Sequence, residues 1–316
     1  MPEPQRIDIL LPTHNGGPFV QRQIESVIEQ MDDRCRLLIR DDASSDDTPA
    51  LLRQMALRHP SRIFLLEDSG PRLGACGSFG RLLEYSDADY LVLCDQDDVW
   101  LPGRISQPLE RIQTIERQSG RETPILVHTD LVVVDEDLRT IAPSFWRYSN
   151  LNPMRGGRMN RLLVQNVVTG CATTINRALA RAACPIPSVT LMHDWWLALV
   201  ASALGRVEAI PDKTVLYRQH PNNHLGATCY NWRYVLRRTV DVFCRGSVVK
   251  WRHTTQQQAE ELQRRYAEIL LPQHRAALSA YVELENVGFL NRRVQLLKYG
   301  FLKTGPLRNL GWILMI

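Results

Sequence analysis

The chain has 316 residues, 44% of them hydrophobic and 23% charged, which is the composition of a folded globular protein and excludes disorder as its dominant state. Its net charge of +4 is uneven, because residues 228–316 carry fourteen Lys and Arg against six Asp and Glu while the remainder is net negative. The seven cysteines are scattered without a C-x-x-C pair, which fits reduced thiols better than a disulfide framework or a zinc site, and no apolar run reaches the ~18–20 residues needed to cross a bilayer.

The N-terminal stretch "MPEPQRIDILLPTHN" lacks a basic region followed by a long apolar core and is not expected to act as a signal peptide. "IDILLP" reads as a buried strand, and "GGPFVQRQIESVIEQM" spaces its apolar residues as a helix does. "CRLLIRDD" is a second strand, "ASSDDTPALLRQMALRHP" a helix with Ser, Asp and Pro at its start, and "RIFLLE" a third strand. A glycine-rich loop, "DSGPRLGACGSFG", leads to a helical "RLLEYS" and then to a fourth strand, "DYLVLCD". Alternating strands and helices predict an α/β fold with a parallel sheet covered by helices, in which ligands bind beyond the carboxyl ends of the strands. The second half is less regular. "PILVHTDLVVVDED" supplies strand material, "GCATTINRALA" a strand then a short helix, "DWWLALVASAL" a helix, and "RVEAIPDKTVLYRQH" one or two strands. From Cys229 onward helices dominate, with a domain boundary expected near residue 228, after the loop "HPNNHLGA": residues 1–227 form the first domain and 228–316 a basic helical region.

Three strand ends are polar. In "CDQDDVW", Asp95 and Asp97 are two residues apart and point the same way in extended backbone. Two such carboxylates repel unless a cation intervenes, and Mg²⁺ or Mn²⁺ prefers oxygen ligands of this kind. Asp98 follows, either facing a ligand or capping a helix that begins near Pro102, and Trp100 closes the segment. In "IRDDASSDDT", capping accounts for the serines and leaves Asp41 and Asp42 free to accept hydrogen bonds from a base or a ribose. In "LLPTHNGG" the paired glycines allow close backbone approach to a ligand. Further on, "TLMHDWWLAL" places His193 and Asp194 at a helix start, with Trp195 and its neighbour serving either as core or as a stacking platform for a sugar, and "VLYRQHPNN" offers Arg218 to a diphosphate and His220 to a metal.

Taken in order, "PTHN", "RDDASSDDT", "CDQDDVW" and "MHDWW" resemble the family-2 inverting glycosyltransferases, over roughly residues 6–227, and the "CDQDDVW" and "YRQHPNN" forms look most like rhamnosyltransferase-type members that build bacterial surface polysaccharides. The resemblance implies a GT-A fold, a Rossmann-like domain around a central, mostly parallel sheet. It implies that Pro12, Thr13 and Asn15 line the nucleotide pocket, that Asp41 or Asp42 holds the base or ribose, that Asp95 and Asp97 form the D-x-D motif with Asp97 the direct metal ligand, and that Asp194 is the catalytic base. Many members carry Glu-Asp where this chain has His193-Asp194. The implied donor is dTDP-rhamnose, with a UDP-sugar the alternative, and the implied acceptor a lipid-linked or free oligosaccharide. A phosphatase of the strand-Asp-x-Asp type is disfavoured, because that motif belongs on a first strand and three strands precede it here. The basic tail is expected to meet the cytoplasmic face of a membrane, to cover the catalytic domain, or to form a dimer contact; a nucleic-acid partner is not expected, and the cysteine usage points to the cytoplasm.

Overall fold

The computed structural model describes residues 5–68, 70–221, 223, 227 and 246–316. Four strands from the first part of the chain, β1 (Ile7–Thr13), β2 (Cys35–Asp41), β3 (Ile63–Leu65) and β4 (Tyr90–Leu93), pair in parallel in the order β3-β2-β1-β4. Helices α1 (Val20–Ile28), α2 (Thr48–Arg58) and α3 (Gly74–Tyr85) make the crossovers. The period of two along β1 divides the core: Ile7, Ile9 and Leu11 enter a cluster with Val20, Ile24 and Leu52, whereas Leu10 enters the opposite cluster with Phe79 and Leu82. Helix α3 extends back to Gly74, into the stretch that the sequence reading assigns to a loop. The Asp42 carboxylate accepts the amides of Leu73 and Gly74, both at 2.7 Å, and so satisfies donors at the start of that helix.

The sheet continues through antiparallel neighbours. A short β5 (Val99–Trp100) precedes α4 (Ser106–Ser119), which starts at Ser106 rather than near Pro102. There follow β6 (Ile125–Val134), β7 (Thr140–Ala142), the single-turn helices α5 (Phe145–Tyr148), α6 (Pro153–Gly156) and α7 (Met159–Leu162), then β8 (Thr173–Asn176), α8 (Arg177–Ala183), α9 (His193–Leu204) and β9 (Arg206–Arg218). β8 lies between β4 and β6, antiparallel to both; β9 runs parallel to β6, and β5 pairs with the far edge of β9. The segment read as one or two strands is thus one strand, whose register against β6 shifts between Ile210 and Lys213. Pro211 falls inside that irregularity, where its missing N–H costs no ladder bond.

The C-terminal helices are α10 (Gly246–Tyr266), α11 (Pro272–Val282), α12 (Phe289–Tyr299) and α13 (Pro306–Met315). Leu262, Leu278, Tyr281, Leu296 and Trp312 join the same buried cluster as Trp196 and Leu199 of α9. The Tyr266 hydroxyl donates to the Ala182 carbonyl, and Arg265 donates to the Pro185 carbonyl at 2.7 Å. These helices therefore share a core with the sheet domain. The boundary expected near residue 228, and the basic residues Arg233, Arg237, Arg238 and Arg245, lie outside the described residues.

The central joint is Arg104, which is fully buried between β4, β5 and β8. Its guanidinium donates to the carbonyls of Leu93 (3.0 Å), Cys171 (3.0 and 3.2 Å) and Thr173 (2.9 Å) and to Thr174 Oγ1 (3.0 Å), with its Cζ 5.1 Å from the centre of the Trp100 ring. Burial lowers its pKa to about 10, so it is still charged at neutral pH. Replacing it leaves several buried carbonyls without donors. Arg104→Met is expected to lower unfolding free energy by about 3–5 kcal/mol in urea titrations; a loss within about 0.5 kcal/mol, the usual range for surface positions, would show that the joint is dispensable.

Candidate active site

The carboxyl ends of β1 and β4, the start of α3, the segment before β8 and the start of α9 enclose a cavity of about 410 Å³. Pro12, Thr13, Asp42, Asp95, Asp97, His193 and Asp194 all line it. This is the crevice that a parallel sheet offers to ligands.

Asp194 stands in the first turn of α9, which is capped by Met192 rather than by Asp194 itself. Its carboxylate accepts from Asn166 Nδ2 at 3.2 Å and from the Gly170 amide at 3.0 Å, so both oxygens are oriented from one side. Burial raises its pKa to about 6 against the opposing pull of these donors. Glycine is required at 170, because a Cβ there would sit 2.8 Å from His193 Nε2. His193 is 2% exposed and stacks on Phe79 with ring centres 3.8 Å apart. Neither of its ring nitrogens has a hydrogen-bond partner among the described residues, and burial lowers its pKa to about 3. It is a neutral imidazole on the cavity wall, with one donor and one acceptor unspent.

The three acids after β4 have separate fates. Burial, followed by the charges of Asp97 and Asp194, raises the pKa of Asp95 to about 8, and among the described residues nothing donates a hydrogen bond to its carboxylate. Asp97 Oδ2 lies 2.9 Å from His220 Nε2, and the His220 ring rests 4.8 Å from that of Phe19. Asp98 is fully buried: Oδ1 accepts the Arg218 amide at 3.0 Å, and burial holds its pKa well above the usual carboxylate range. It neither reaches the cavity nor caps α4. Gln96, between the two acids, clamps the backbone of His14 through bonds of 2.8 and 3.0 Å. This joins the end of β1 to the end of β4.

Several expected contacts are otherwise occupied. Asp41 accepts from the Ser44 amide (2.9 Å), Ser44 Oγ (2.6 Å) and Thr13 Oγ1 (2.9 Å), and Asp42 accepts from Arg40 at 2.6 Å besides the two amides of α3. Neither carboxylate is free: the serine does not satisfy the loop alone, and the buried Arg40 needs an anion. Burial pushes Asp42 up, yet those amides and Arg40 outweigh it and leave its pKa below the usual range. Asn15 holds the loop in a similar way, accepting the Ser45 amide at 2.8 Å from a backbone with φ of 49°. Trp100 and Trp195 are core residues rather than sugar platforms, with Trp195 Nε1 donating to the Leu162 carbonyl at 2.6 Å. Arg218 is 5% exposed; its guanidinium donates to the carbonyls of Asp97 (2.7 Å) and Glu136 and lies over Phe19, so it is not presented to a diphosphate in the cavity.

The donor set suits a hard divalent cation at the Asp95–Asp97 edge of the cavity. Asp95 is an unpartnered carboxylate beside other acids, and its raised pKa marks the charge that a cation would relieve. Asp95, Asp98 and Cys171 also bring donor atoms within 4.8 Å of one another. Cys171 is a poor ligand for Mg²⁺ or Mn²⁺, because burial pushes its thiol well above its ordinary value and thiolate is a soft donor.

Comparison with known proteins agrees with this architecture. Residues 8–119 match the family model described as "Glycosyl transferase family 2". The dTDP-rhamnosyl transferase RfbG of Shigella flexneri is 27% identical over 221 residues, covering 68% of this chain and 73% of RfbG. Three other curated relatives are longer, the aligned region spanning 57% of their length. Among solved structures, the mannosyltransferase PcManGT of Pyrobaculum calidifontis, in complex with GDP-Man and Mn2+, superposes with a TM-score of 0.56 at 16% identity, over 95% of this chain and 74% of that one. S. aureus TarS 1-349 in complex with UDP-GlcNAc gives a TM-score of 0.57 at 11% identity, over 95% and 82%. The sheet, the cavity at its strand ends and the solved structures show a GT-A fold, and the match of residues 8–119 together with the similarity to a rhamnosyltransferase supports a family-2 glycosyltransferase.

Proposed function

We propose that the chain transfers one sugar, with inversion, from a nucleotide-sugar donor to a hydroxyl of a surface-polysaccharide precursor, and that Asp194 is the general base. The observation that carries this reading is the single cavity in which Asp194, held by Asn166 and Gly170, faces Asp95 and Asp97 across a space lined by Pro12 and Thr13. The acceptor hydroxyl gives its proton to Asp194 as its oxygen bonds to the anomeric carbon, and the bond from that carbon to the diphosphate breaks. One displacement needs no enzyme nucleophile and inverts the centre. Asp95 and Asp97, with His220 steadying Asp97, would hold Mg²⁺ or Mn²⁺, which when bound neutralises charge on the departing diphosphate. The similarity to a dTDP-rhamnosyl transferase supports dTDP-rhamnose as the donor, and a UDP-sugar is the alternative.

A panel of nucleotide sugars with Mg²⁺ or Mn²⁺, scored by protection from thermal unfolding, identifies the donor. dTDP-rhamnose is expected to protect most, and protection by none of the panel would contradict the reading. Asp194→Asn is expected to lower kcat by at least about 100-fold, the lower range for loss of a general base, while donor protection persists; wild-type turnover in this variant would remove Asp194 from the mechanism.

The pH dependence has a defined sign. Asp194 must be ionised to accept a proton, and burial sets its pKa at about 6. kcat/KM is expected to rise with pH through that value to a plateau, and a profile flat from pH 5 to 7 would contradict the assignment.

A further inference from the structure

We propose that the outer face of α12 and α13 docks in the plane of an anionic lipid bilayer. On α12, Phe289, Leu290, Val294 and Leu297 fall within an arc of about 140° at 3.6 residues per turn. On α13, Leu307, Leu310 and Leu314 form one stripe at i, i+3 and i+7. All seven are between 55 and 76% exposed. Single exposed apolar side chains are ordinary, but seven within 26 residues make a patch. Other residues tie the two helices to the fold: Leu296, at the edge of the α12 arc, and Trp312, opposite the α13 stripe, are buried, and Trp312 Nε1 donates to the Phe301 carbonyl at 2.9 Å. Arg293 reaches from α12 to the Leu314 carbonyl at 3.2 Å, so the two apolar faces adjoin.

Charge selects the occupant. Residues 286–316 contain five Lys and Arg and no Asp or Glu. A second copy of the chain would set two such faces together with no acid to offset the repulsion. A surface of anionic headgroups over acyl chains meets both requirements, taking the leucines below and cations in or beside the arc, such as Arg293 and the exposed Lys298, at the level of the phosphates. The helices lie on that surface rather than crossing it. They have 11 and 10 residues, and among the described residues no helix is long and apolar enough to span. Helix α13 also packs beside residues that border the cavity. Arg308 of α13 donates to the carbonyls of Ser149 and Asn150 at 2.7 and 2.6 Å, beside the cavity-lining Leu151, and the Thr304 amide donates to Gln165 Oε1, next to Asn166. Docking would bring the acceptor side of the cavity to the lipid. That consequence rests on the proposed transfer reaction, whereas the docking itself does not.

The test is co-sedimentation of the full chain with vesicles of phosphatidylcholine alone or mixed equally with phosphatidylglycerol. The wild type is expected to pellet with the mixed vesicles, to be released by high salt, and to stay in solution with phosphatidylcholine. Leu290→Ser with Leu297→Ser is expected to weaken partition at least about tenfold while leaving the thermal midpoint and the nucleotide-sugar protection unchanged, which separates this proposal from the catalytic one. Lys298→Gln is expected to weaken it by a smaller factor. Equal partition of wild type and double variant, or no binding to anionic vesicles, would overturn the proposal. So would a dimer of the wild type, broken by the same substitutions, with no vesicle binding.

Discussion

The site depends on one electrostatic constraint, a buried guanidinium beneath a run of acids. Arg104 lies behind the end of β4, within the field of Asp95 and Asp98, and its donors are spent on the carbonyls of Leu93, Cys171 and Thr173. It lowers the pKa of Asp95 without neutralising it, because no direct ion pair is formed. Asp97 turns to His220, and Asp98 to the amide of Arg218. Asp95 is thus left at the cavity edge without a protein partner, and burial and its acidic neighbours oppose its ionisation there. A group that remains uncompensated in the fold is available to a cation and an anionic ligand.

The second half of the chain supplies the opposing wall with few residues. Gly170 brings its amide to Asp194 and leaves room for the His193 ring, and Asn166 orients the second oxygen. Asp194 gains basicity from burial while its donors keep it from becoming a permanently protonated acid. The C-terminal helices bury the outer side of α9 and fix its position over the sheet, so the basic region contributes to the site through packing, whatever its outer face contacts.

Much of this was legible in the sequence, for physical reasons that vary by residue. The strand ends could be read because parallel strands are continuous apolar runs that stop at polar residues, as "YLVLCD" does. The period of two would set Asp95 and Asp97 on one side, but the strand ends at Leu93, and Asp95, Gln96 and Asp97 all line the cavity from a bend. Asp41 and Asp42 were misread as free because their partners, Thr13, Arg40 and the amides at the start of α3, are distant in sequence or belong to a helix hidden by its glycines. Trp100 and Trp195 were ambiguous by nature, since an aromatic beside a motif serves core and ligand equally well. Arg104 gave no signal at all: an arginine after "WLPG" reads as a surface turn, and only the tertiary fold brings five acceptor contacts around it. Asn166 and Gly170 were silent for the same reason, lying in a stretch without periodicity.

In the proposed reaction a single displacement moves the sugar, Asp194 takes the proton, and no residue bonds to the sugar. The anomeric configuration of the first-formed product, followed by proton NMR with the protecting donor and its acceptor, tests this directly. Inversion relative to the donor is the predicted result. Retention would require two displacements or a front-face reaction, and would contradict the role given to Asp194.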